Sequence, residues 1–223
     1  MHEEKIQYEV LELFPIPVFT TSLPLQYAGV TEWFYKQEML GDSDDKDTPG
    51  VDASNYGERS KNSYILDEPE CKDLKTFVLG LSKTYGDMLG YDYESYRFGQ
   101  SWLSYKHPGQ HHTQHTHPNS LISGVFYFGQ PEEKTPAIRL HKMSGGFNQS
   151  YIEPKKVADK RELKYAWGQF DIEFAPGLFL LFPSYLHHSV PLNKSNSTRC
   201  SLAFNVVPEV GFGDEGSLTE LKF

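Results

Sequence analysis

Beyond about residue 96 the chain becomes a succession of short apolar runs with no helical stretch between them. Residues 96–106, 120–128, 168–174, 177–182 and 199–207 are rich in aromatic and β-branched side chains and bounded by Pro, Gly and Asn, the composition and punctuation of strands. Parallel strands need long crossovers, usually helical, so strands that follow one another directly predict an antiparallel barrel or jelly roll rather than an α/β sheet. Fourteen tyrosines and an aromatic fraction of 14% suit sheets faced with rings.

The first third reads differently. Residues 13–19 (LFPIPVF) predict an opening edge strand, because Pro15 and Pro17 cannot donate to a ladder. Residues 30–40 and 71–89 place apolar side chains at helical spacing and predict two amphipathic helices. The acidic stretch 41–47 resembles a calcium loop only superficially, since Lys46 stands among its ligand positions and no Glu closes it; a solvated loop is expected there. Residues 131–166 are polar and irregular, an excursion large enough for a lid or substrate loop. A length of 223 residues suits a single domain, 1–223, with a strand and helices from 1–95 packed on a jelly-roll core at 96–208.

Charge and composition narrow the function. A net charge of −9 argues against a nucleic-acid partner. No run approaches the ~18 apolar residues of a membrane span, and the opening Met1-His2-Glu3-Glu4-Lys5 is not a secretory signal. Cys71 and Cys200 make no disulfide framework and predict two reduced thiols in a cytoplasmic protein. A small-molecule or peptide substrate is expected, and homodimerisation is left open.

Histidine is the residue type in which the chain is most unevenly distributed. His107, His111, His112, His115 and His117 crowd one stretch, and His187 and His188 follow about seventy residues later. Neutral imidazole is the commonest ligand for first-row transition metals. His115 and His117 sit two apart, so on a strand both would project from one face. Pro176-Gly177 turns the chain into the apolar run at 178–182, and His187 and His188 stand at its far end. His107, His111 and His112 lie in a loop with Gly and Pro and are expected to be exposed or behind the ligands. His187 would point away from His188. Trp102 and Trp167 are expected in the core.

This order resembles the 2-oxoglutarate/Fe(II)-dependent oxygenases, whose pattern is His-x-Asp, a distal His, then an Arg about ten residues on. The motifs that carry the likeness are Leu13-Phe14-Pro15-Ile16-Pro17-Val18, His115-Thr116-His117-Pro118-Asn119-Ser120, Ser123-Gly124-Val125-Phe126-Tyr127, Leu181-Phe182-Pro183-Ser184-Tyr185-Leu186-His187-His188 and Arg199-Cys200-Ser201-Leu202-Ala203-Phe204-Asn205. Within the superfamily the chain is most similar to the prolyl-hydroxylase-like branch and to a group of oxygenases from marine bacteria and their phages. The resemblance implies a double-stranded β-helix, Fe(II) held by His115, His117 and His188, and 2-oxoglutarate as co-substrate. It places Arg199 and Ser201 on the far carboxylate of 2-oxoglutarate, with Tyr105, ten residues before His115, and Tyr127 also touching it. Hydroxylation of a substrate, with release of succinate and CO2, is the implied reaction.

His117 stands where the superfamily has a carboxylate. Two rearrangements accommodate that: His115 and His188 with a water, or His117 and Asn119 as the strand ligands. A cupin-like three-histidine dioxygenase would need no 2-oxo acid and leaves Arg199 without a purpose. A non-catalytic jelly roll with structural zinc would need a fourth ligand such as His112 or His187.

Overall fold

The computed structural model describes residues 14–23, 27, 29–40, 57–130, 136–142 and 168–223. Its strands form two facing sheets and a small C-terminal hairpin. The larger sheet has seven strands in the order β1-β9-β6-β11-β4-β3-β2. These are β1 (Phe19–Ser22), β2 (Met39–Leu40), β3 (Glu58–Ser60), β4 (Tyr96–Lys106), β6 (Ile122–Phe128), β9 (Leu178–Pro183) and β11 (Arg199–Pro208). The smaller has four, β5 (His112–His115), β10 (His188–Val190), β7 (Pro136–His141) and β8 (Gln169–Glu173), in that order. Every strand pair in both sheets is antiparallel. This is the jelly roll that the strand succession predicts.

Alternation along the central strands divides the molecule. Leu103, Phe126, Phe128, Cys200, Leu202 and Phe204 face outward and join Leu74, Val78 and Tyr85 of helix α2 (Lys72–Met88) in one apolar cluster. Val125, Tyr127, Leu180 and Phe182, on alternate positions, face the smaller sheet and pack with Ala137, Ile138 and Leu140 of β7. Gly124 is required where it lies: a Cβ there would meet the Phe204 ring at 2.2 Å and Leu181 at 2.8 Å.

The elements depart from expectation in instructive ways. The first helix, α1 (Val30–Phe34), ends early; Met39 and Leu40 instead pair with Ser60 and Arg59 as β2. The opening strand begins at Phe19, after the second of the two prolines, where every residue has an N–H to donate. Part of the expected excursion is sheet, because residues 136–141 form β7 between β10 and β8. Leu13, the loop at 41–47, residues 131–135 and 143–166, and Trp167 lie outside the described residues.

Candidate metal centre

The smaller sheet brings the distant histidines together. His115 ends β5 and His188 opens β10, and the two are direct cross-strand partners. His117, just past β5, is fixed by its backbone N–H, which donates to the Ser184 carbonyl at 3.0 Å. The ring centroids of His115 and His188 are 4.2 Å apart, and those of His117 and His188 are 5.0 Å apart. One ligand nitrogen from each of the three lies within 4.8 Å of the others. Two nitrogens bound at about 2.1 Å on either side of one ion stand at a comparable separation.

Hydrogen bonds behind the rings fix their tautomers. The Nδ1–H of His188 donates to the Leu186 carbonyl at 2.9 Å, and that of His115 to the Thr113 carbonyl at 2.8 Å. A proton held on Nδ1 leaves the Nε2 lone pair for a metal, the usual arrangement behind a ligating imidazole. Nε2 of His117 lies 3.1 Å from Nε2 of His188, a spacing that either a shared proton or a shared cation supports. Behind His117, the Asn205 side-chain amide stands 3.5 Å from Nδ1 and accepts a hydrogen bond from Ser123 Oγ at 2.9 Å.

Burial keeps these rings neutral. It lowers the pKa of His188 to about 3 and those of His117 and His112 to about 4, with the neighbouring His115 adding to each shift. His115 is lowered as well, chiefly by burial, which outweighs the opposing hydrogen bond to the Thr113 carbonyl, with the charge of Lys106 adding to the shift. Neutral imidazoles are the form a metal requires. The donor set therefore fits a divalent first-row ion. The cluster contains no carboxylate.

Arg199 supplies the second half of the site. It opens β11 only 3% exposed, on the same side of the sheet as the histidines. Its Nη2–H donates to the Tyr127 hydroxyl at 3.1 Å and its Nη1–H to Ser201 Oγ at 3.3 Å. The guanidinium carbon lies 4.8 Å from the Tyr127 ring centroid. Among the described residues its Nε has no hydrogen-bond partner and no carboxylate pairs with it. A buried guanidinium without a counter-ion is strongly disfavoured, so this one fits an anionic ligand.

Tyr105 is not part of this cradle. It is opposite Cys200 on the outward face, where its hydroxyl donates to the Phe34 carbonyl at 3.3 Å and its ring meets Phe128. Spacing along the sequence does not reveal parity, and on β4 the inward positions are Trp102, Ser104 and Lys106. Trp102, expected in the core, places its ring 5.9 Å from that of His117. His112 stands closer than expected, with its ring centroid 4.4 Å from that of His115. His107 turns outward to Thr198 and Glu58. Lys106, Ser104 and Asn205 are the site neighbours that the histidine pattern does not reveal; their signal was polarity at every second position of otherwise apolar strands.

The jelly roll thus carries three imidazoles that fit one metal ion and, on the same side of the sheet, a buried arginine that fits an anion. Residues 100–205, from β4 to near the end of β11, match a family described as "Putative 2OG-Fe(II) oxygenase". The fold agrees. A non-heme alpha-ketoglutarate-dependent epimerase of nogalamycin biosynthesis superposes with a TM-score of 0.60 at 11% identity, covering 90% of this chain and 80% of its own. A prolyl-4-hydroxylase from Pseudomonas putida gives 0.56 at 13% identity, over 86% and 94%. HygX from Streptomyces hygroscopicus, solved with nickel and 2-oxoglutarate bound, gives 0.53 at 10% identity, over 86% and 83%. A search of curated proteins finds no relative by sequence. Among the described residues no helix is long and apolar enough to cross a membrane.

Proposed function

We propose that the chain hydroxylates an organic substrate: one oxygen atom of O2 enters a C–H bond, and the other enters the succinate formed as 2-oxoglutarate loses CO2. Iron(II) would be held by His115, His117 and His188, and the far carboxylate of 2-oxoglutarate by Arg199, Tyr127 and Ser201. When bound, the iron supplies the redox chemistry that couples oxygen to the 2-oxo acid. The observation that carries this reading is the joint placement of three neutral imidazoles and a buried, unneutralised guanidinium inside one barrel.

The chain's own part is to orient and to exclude water. Leu186 and Thr113 carbonyls hold two rings with their Nε2 lone pairs inward. Arg199 offers a planar fork that matches a carboxylate in two parallel bonds. Its low exposure makes that contact stronger than it would be in water. Tyr127, fully buried and with its pKa raised by burial, stays a neutral hydroxyl that can donate to the same carboxylate. Thr116, His117, Asn119 and Tyr185 border a surface concavity of about 260 Å³ that also includes Tyr91, and substrate entry is assigned to this side.

Anaerobic titration of iron-loaded protein with 2-oxoglutarate tests the reading. A weak visible charge-transfer band, lost in Arg199→Ala, is expected, together with succinate release once oxygen and a substrate are admitted. Iron binding without any such band overturns it in favour of a three-histidine dioxygenase that uses no 2-oxo acid.

A further inference from the structure

The cradle contains a second cation that neither the motif nor the family match assigns. Lys106 is 4% exposed. It is the last residue of β4 and the direct cross-strand partner of Arg199 on β11. Both lie on the inward face, as do Ser104 and Ser201, which are partners of one another two residues along. The Lys106 ammonium donates to Ser104 Oγ at 2.9 Å, while Ser201 Oγ donates to the Ser104 carbonyl at 3.3 Å and accepts from Arg199. The two cations are thus tied to one small hydroxyl cluster.

Cross-strand neighbours on one face of a sheet are close enough for both side chains to reach one ligand, and burial strengthens the attraction of each for an anion. We infer that Lys106 is a specificity-determining residue of the dicarboxylate clamp, contributing a second positive charge to the far carboxylate of 2-oxoglutarate beside the fork of Arg199. The inference rests on the oxygenase reading above and deepens it. It also gives the inward end of β4 the role that the position of Tyr105 denies to that phenol. A point charge on a flexible stem complements a planar fork: Arg199 sets the plane of the carboxylate and Lys106 adds attraction from the side.

The test compares two 2-oxo acids on nickel- or iron-loaded protein without oxygen. 2-Oxobutyrate keeps the metal-binding head of 2-oxoglutarate and lacks its far carboxylate. In isothermal titrations, Lys106→Met and Lys106→Gln are expected to weaken 2-oxoglutarate about tenfold to a hundredfold, the range for losing a hydrogen bond to a charged group. Both variants should bind 2-oxobutyrate as the unmodified protein does, and Lys106→Arg should recover much of the loss. Gln keeps a donor for Ser104, so it separates lost charge from lost packing. A cooperative melting curve of the metal-free variants checks that each one folds. Equal weakening of both acids, or weakening of neither, overturns the role of Lys106. Unmodified protein that binds 2-oxoglutarate no better than 2-oxobutyrate overturns the oxygenase reading itself.

Discussion

The two faces of β4, β6 and β11 are built from alternate residues of the same strands, yet they are completed in different ways. Outward, Leu103, Phe126, Leu202 and Phe204 close against α2, and two phenols find partners within the chain, Tyr105 on the Phe34 carbonyl and Tyr85 on the Pro17 carbonyl at 2.7 Å, while among the described residues the neutral Tyr96 hydroxyl has none. Inward, Arg199 keeps an Nε that has no partner among the described residues, and three neutral imidazoles converge within bonding range of one ion. The first face is closed by apolar packing and, among the described residues, leaves no charge exposed to it. The second keeps a charged group and three lone pairs that a ligand can take up, which is where preorganised binding energy can be kept for function.

The sharpest way to break that contrast is at a ligand. His188→Ala should abolish metal binding, measured by metal content after dialysis, because the remaining pair lacks the ring that faces both of them. Next in size, Arg199→Met should weaken 2-oxoglutarate by roughly a hundredfold or more while leaving metal affinity intact, read by titration calorimetry on loaded protein. Asn205→Leu removes the side-chain amide behind His117 and should cost about tenfold to a hundredfold in metal affinity, the usual effect of a lost partner behind a ligand; chelator competition measures it.

A pH series on metal-free protein sharpens the contrast further. The folded values of about 3 for His188 and about 4 for His117 lie below the ordinary 6.5, so between them the unfolded chain binds more protons than the folded one. Stability should therefore be full above pH 6.5 and decline as pH falls towards 3. Bound metal should move the decline to lower pH, as followed by thermal melting. The smallest effect is expected outward: Tyr105→Phe should cost about 1 kcal/mol of stability and leave 2-oxoglutarate affinity unchanged, whereas Tyr127→Phe should weaken it.

The long strands were legible in the sequence because burial on one or both faces writes a continuous apolar pattern, as in LFLLFP of β9 and ISGVFYF of β6. The short strands β5, β7 and β10 were not. HTQH of β5 and HSV of β10 owe their residues to the site rather than to a core, so they show no apolar alternation. The three ligating histidines could be proposed from order and spacing, since each is a rare residue type at a strand end. Tyr105 could not be placed that way. Its distance from His115 says nothing about facing, which depends on the partner register: Arg199 opposite Lys106 sends Ser104 and Lys106 inward and Tyr105 out. The first helix failed as an eleven-residue element because Met39 and Leu40 gain more as partners of β3 than as a further helical turn.

The pairing of His115 with His188 has a practical corollary through the residue that precedes it. A one-residue slip of β10 along β5 would turn His188 away and bring His187 round in its place, exchanging one imidazole for another. Metal content would hardly notice such an error. Recognition of the dicarboxylate would, because Arg199 is pinned by nine cross-strand pairs to β4 and does not move with β10, so co-substrate discrimination rather than metal stoichiometry is the measure of a correctly assembled preparation.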